Sequence, residues 1–193
     1  MSEILFIRHA ETDMAGTFCG HSDPDLNANG RVQLDDLIGK LRTEQITAVY
    51  TSDLRRAHAT GLAIAEAFGL DCYKQSGLRE INFGQWEGLT WEEIERRNSA
   101  YARHWIAEYP RVPAPDGECY FDFERRVLDA LELLSKEVSG RRIAVVTHAG
   151  VLRVVLCTLH GNSNDDAWKQ TRAYCSIVRH SNISFTRNAE VRS

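Results

Sequence analysis

Ile4-Leu5-Phe6-Ile7-Arg8-His9-Ala10-Glu11 and, far along the chain, Ile143-Ala144-Val145-Val146-Thr147-His148-Ala149-Gly150 repeat one pattern. Each is a short apolar run that stops at polar residues, the signature of a buried strand. In an open α/β sheet, ligands bind in the crevice outside the carboxyl ends of the strands. Two strands thus deliver a histidine each to one place. Arg8 adds a guanidinium fork beside His9, and that combination suits a phosphate group.

Working outward, strand 3–8 is followed by a loop, 10–27, rich in Gly, Asp, Asn and Thr. Asn27-Ala28-Asn29-Gly30 opens a helix whose apolar residues Val32, Leu34, Leu37, Ile38 and Leu41 keep helical spacing. Ile46 to Tyr50 reads as a second strand, and Thr51, Ser52 or Asp53 can N-cap a helix from Leu54 to Phe68. Cys72-Tyr73-Lys74 is a short edge strand. From about residue 77 to 117 the pattern turns Gly-, aromatic- and Pro-rich, with one charged helix carrying Trp91, Ile94 and Trp105. This segment reads as an insertion covering the crevice, without a core of its own. An amphipathic helix (120–138), strand 142–147, helix 150–160 and a last edge strand (174–186) complete the alternation. The expected fold is a three-layer α/β/α sandwich with a mainly parallel central sheet. Residues 1–193 read as one domain, with the helical insertion over the carboxyl edge.

The 193 residues carry 23 Lys and Arg against 27 Asp and Glu, a net charge of −4. Basic residues are scattered, which gives no electrostatic footprint for nucleic acid or an anionic membrane. No run approaches the roughly 20 apolar residues of a membrane span, and no signal peptide is visible. Five cysteines without CxxC spacing read as reduced thiols in a cytoplasmic protein. The surface pattern does not reveal an oligomeric state.

A lone histidine after a strand is more often structural than catalytic. Arg8, the polar loop and a matching His148 change that balance for His9. A neutral imidazole attacks phosphorus and forms a phosphoramidate that water can hydrolyse. His148 brings the backbone N–H groups of the following helix toward an anion, and a protonated His148 would add positive charge. Arg55 and Arg56 fall in a helix's first turn, where the dipole disfavours a cation. An arginine there asks for an anionic partner, and only one of the two can point inward. Glu80, among glycine and aromatic residues, is placed for a raised pKa and proton donation. Glu87, Glu92, Glu93 and Glu95 read as surface charges. A metal site built from His9, His148, His21 or His58 would be repelled by Arg8 and Arg56. No metal or other cofactor is expected.

At these residues the chain resembles the histidine phosphatase superfamily, also called phosphoglycerate-mutase-like. The resemblance runs through Arg8-His9-Ala10-Glu11, Thr51-Ser52-Asp53-Leu54-Arg55-Arg56-Ala57, Leu78-Arg79-Glu80, Phe83-Gly84-Gln85-Trp86-Glu87-Gly88 and Thr147-His148-Ala149-Gly150. Within the family it looks most like the α-ribazole phosphatases, by Gly20-His21-Ser22-Asp23 and the segment from Trp105 through Pro113 and Pro115 to Glu118. The resemblance implies a hydrolase of small-molecule phosphomonoesters working through phosphohistidine. It assigns phosphorylation to His9, proton donation to Glu80, phosphoryl clasping to Arg8, Arg56 and His148, and ligand contact to Cys19 and Gly20. Arg56 is preferred to Arg55 because the family's arginine immediately precedes the alanine. Ala10 stands for the common glycine and Ala15 for a phosphate-contacting asparagine, while Cys19 is a poorer donor than threonine.

Phosphoglycerate mutase-type transfer, sugar-phosphate hydrolysis and a non-catalytic phosphate-binding module are the competing functions. Tyr101, Trp105, Trp86, Phe121 and Tyr120 are candidate walls for a flat base such as ribazole's.

Overall fold

The computed structural model describes residues 2–181. Its sheet has the order β3-β2-β4-β1-β5, formed by β1 (Glu3–Arg8), β2 (Ala48–Thr51), β3 (Cys72–Lys74), β4 (Arg142–Thr147) and β5 (Ile177–Ser181). The first four strands are parallel, and β5 pairs antiparallel to β1 at one edge. Residues 182–186 of the expected last strand lie outside the described residues.

The strand side chains alternate between two cores, as period-2 geometry requires. Ile4, Phe6, Ile143 and Val145 face α5 (Tyr120–Glu137), α6 (Ala149–Val154) and α7 (Asn164–Thr171). Leu5, Ile7, Ala144 and Val146 face α1 (Ala28–Leu41) and α2 (Arg55–Phe68). Each fully buried aliphatic side chain contributes roughly 1.5–3 kcal/mol, so the central strands anchor both layers. This is the α/β/α sandwich that the alternation of elements foretold.

Several local expectations need correction. Val32 is 64% exposed, and α1 packs through Leu37 and Leu41 instead. None of residues 51–53 caps α2. The Arg55 N–H donates to Asp23 Oδ1 at 2.6 Å, Asp53 is bound by Arg79, and Ser52 faces His148. The single charged helix is two, α3 (Trp91–Arg97) and α4 (Ser99–Glu108), broken at Asn98, whose side chain accepts from the Tyr101 N–H. The inserted segment does have a small core: Trp86, Ile94, Ala102 and Ala114 are buried together, with Phe18 and Trp105 packed on them. Past Val154, helix α6 continues as a π-helical stretch to Leu159.

Candidate active site

His9 and His148 stand just past the ends of β1 and β4, whose pairing aligns Arg8 with Thr147. Their ring centroids are 5.1 Å apart. His9 Nδ1 lies 2.7 Å from Ala10 O. A carbonyl oxygen only accepts, so Nδ1 carries the proton and Nε2 keeps its lone pair. Burial, then the charges of Arg56 and Arg8, pushes the His9 pKa well below the ordinary value. Its ring is therefore neutral at pH 7, with Nε2 accepting from Arg56 Nε at 3.2 Å.

His148 is also neutral, driven down by burial and then by Arg56 and His9; the positive charge anticipated from its sequence context is absent. Its Nε2 meets Ser52 Oγ at 2.8 Å, while Nδ1 is buried without a partner. The ring has no exposed surface, whereas His9 keeps 7%. The helix N-terminus beyond it does not leave the Gly150 N–H open to a phosphoryl group, because that N–H already donates to Glu80 Oε2 at 2.9 Å.

Arg56 is the inward member of its pair, fully buried. Its partners are carbonyl oxygens of the first loop: Ser22 O at 2.6 Å, Gly20 O at 2.7 Å and Cys19 O at 3.1 Å. Arg55 turns outward to Asp25. Cys19 and Gly20 thus meet an arginine through their carbonyls; only Cys19 also lines the pocket. The Arg8 guanidinium lies 4.0 Å over the Tyr174 ring and donates to Thr171 O at 2.9 Å and to Arg172 O. These carbonyls sit at the end of α7, the negative pole of a helix. Glu80 is buried, and its second carboxylate oxygen accepts from the Ile81 N–H at 3.0 Å.

Arg8, His9 and Glu80 reach a cavity of about 880 Å³, while Arg56 and His148 stand behind His9 and do not line it. Trp105 and Tyr120 line its walls, joined by Phe18, Trp91, Tyr109 and Trp168. Trp86 and Tyr101 pack in the inserted segment's core, and Phe121 is 57% exposed on α5.

Three supporting groups escaped the sequence reading. Arg126 of α5 donates to Gly77 O, Arg79 O and Glu80 O and pairs with Glu118. Helix α7 supplies the carbonyls that hold Arg8. Glu87, read as a surface charge, is half-buried against the first loop.

The mainly parallel sheet between two helical layers, with the cavity at its carboxyl edge, is an α/β/α sandwich that superposes on Bacillus stearothermophilus YhfR with a TM-score of 0.81 at 27% identity, covering 93% of this chain and 90% of that one. Residues 4–188 match the family model of the histidine phosphatase superfamily (branch 1), and the chain belongs to that family. It is 32% identical over 170 residues to Phosphoserine phosphatase 1 of Hydrogenobacter thermophilus, covering 87% of this chain and 81% of that protein. It is 36% identical over 160 residues to Metal-independent phosphoserine phosphatase of Arabidopsis thaliana, covering 80% and 67%. The alpha-ribazole phosphatase structure from Shigella flexneri superposes with a TM-score of 0.77 at 26% identity, covering 86% of this chain and 84% of that one. The protein is a phosphatase. Among the described residues, no helix is long and apolar enough to cross a membrane.

Proposed function

We propose that the chain hydrolyses a phosphomonoester through a phosphohistidine on His9. The observation that carries this reading is the His9 ring itself. It lines the cavity, it is neutral, its proton is fixed on Nδ1 by Ala10 O, and its Nε2 accepts from Arg56, which stands behind it.

Attack needs the Nε2 lone pair on phosphorus, so Arg56 transfers its hydrogen bond from the ring to a phosphoryl oxygen. His148, whose buried Nδ1 has no partner, supplies a donor to a phosphoryl oxygen in this reading. Arg8 and Arg56 then stabilise the charge on the equatorial oxygens. The bond from phosphorus to the ester oxygen breaks as Nε2 binds phosphorus, and Glu80 protonates the leaving alcohol. Water next attacks the phosphohistidine and gives a proton to Glu80, which releases neutral His9 and phosphate.

The finer assignment is a flat-based nucleoside-like ester such as α-ribazole 5′-phosphate. A cavity of about 880 Å³ with indole and phenol walls suits a drug-sized flat group. Phosphoserine would bring an ammonium group, yet the acidic lining residues are Glu80 and Glu118, the latter paired with Arg126. The five free thiols support a cytoplasmic setting.

The test uses p-nitrophenyl phosphate and a panel of natural esters. His9→Ala should abolish turnover, and wild-type protein should yield an acid-labile, base-stable ³²P adduct that this variant lacks. Wild-type turnover by His9→Ala sinks the mechanism. A kcat/KM at least tenfold higher for α-ribazole 5′-phosphate than for phosphoserine is expected, and the reverse order sinks the substrate assignment alone.

A further inference from the structure

Glu87 follows the short 3-10 turn Gly84–Trp86 and touches none of the reacting groups. Its carboxylate collects four backbone N–H groups. Oε2 accepts from Gly20 and Ser22, each at 3.0 Å, and Oε1 from His21 at 2.8 Å and Phe83 at 3.0 Å. Burial raises its pKa, but hydrogen bonds from Ser22, Phe83 and His21 outweigh that, leaving it below the usual carboxylate range. Gly20 makes the approach possible: a Cβ there would lie 2.4 Å from Glu87 Oε1 and 2.2 Å from Ile81 O.

A trans peptide unit is planar and sends its N–H and C=O in opposite directions. The unit joining Cys19 to Gly20 gives its N–H to Glu87 and its oxygen to Arg56. The unit joining Gly20 to His21 does the same. The anion and the cation therefore grip opposite edges of the same two peptide planes, and each polarises them for the other. On the far side of the loop, His21 Nε2 lies 3.1 Å from Glu80 O.

We propose that Glu87 is a positioning residue for Arg56, acting through the peptide units on either side of Gly20. This rests on the reading that Arg56 clasps the phosphoryl group. Glu87→Gln keeps the side chain's shape but turns one acceptor into a donor facing N–H groups. The loop carbonyls then turn and the guanidinium is misplaced, a displacement that costs about 10²-fold in rate.

The experiment is a double-variant cycle on p-nitrophenyl phosphate with thermal melts alongside. Glu87→Gln should lower kcat/KM about 10²-fold, and Glu87→Asp, which keeps the charge, should recover part of the loss. In Glu87→Gln with Arg56→Lys, the losses should not multiply, because one acts through the other. Should Glu87→Gln fail to fold, Glu87→Asp closes the same cycle. Multiplied losses, or wild-type turnover by Glu87→Gln, overturn the proposal. Wild-type kcat/KM for Arg56→Lys alone instead overturns the clasp reading beneath it, and this proposal with it.

Discussion

At Gly150 the closeness of the site becomes a constraint on a single atom. A Cβ there would stand 2.0 Å from Glu80 Oε1 and 3.2 Å from Phe123. The same residue's N–H holds the other carboxylate oxygen. Gly150→Ala must therefore push the Glu80 carboxylate away while leaving His9 in place. Kinetics on p-nitrophenyl phosphate should show kcat/KM reduced about 10²-fold, the low end of what a lost general acid costs. Wild-type kcat/KM would remove Glu80 from the reaction. His9, Arg8 and His148 were legible as residues because each terminates or follows an apolar run. The environment of each was not. The sequence set Arg56 against a helix dipole and asked for an anion, but three carbonyl oxygens already surround it. Loop carbonyls leave no mark in residue type.

Among the elements, α5 does more than cover the sheet. Its buried stripe runs Phe123, Val127, Ala130, Leu131 and Leu134, and Arg126 lies beside it with a guanidinium spanning the segment from Gly77 to Glu80. A charge at the margin of an apolar helix face was the available signal for it. Arg126→Met would leave Glu118 and three carbonyl oxygens without this partner. Breaking a partly buried pair of this kind costs about 3 kcal/mol, readable as a lower urea midpoint together with reduced kcat. An unchanged midpoint would show that the pair carries no weight in the fold. Helix α7 was missed for a different reason. Only Ala167 and Thr171 are buried among its eight residues, so it shows no apolar periodicity. Its start was nonetheless written: Ser163 accepts from the Asp166 N–H, with Asp165 and Asp166 in the first turn. The central strands β1 and β4 were legible because burial on both faces forces continuous apolar runs, whereas the part-exposed edge strand β5 begins only at Ile177, later than its alternation suggested.

For the whole molecule, two neutral imidazoles at the centre couple stability to acidity. His9 and His148 are held well below the ordinary histidine pKa, chiefly by burial. Unfolding returns both to about 6.5. As pH falls below that value the unfolded chain takes up protons that the folded one refuses. Stability is thus full above about pH 6.5 and declines below it, by about 1.4 kcal/mol per pH unit for each such ring. Urea midpoints at pH 7.5 and 5.5 should reveal the decline, and His9→Asn should lessen it. An equal decline in that variant would mean the ring is not held neutral. The 5.1 Å between these rings is close to the roughly 4.8 Å that separates hydrogen-bonded strands. Each ring follows directly on one of the paired strand ends Arg8 and Thr147, so the sheet sets where the two imidazoles start. The aromatic roof can be exchanged piece by piece for another clientele while the paired imidazoles below keep their gauge.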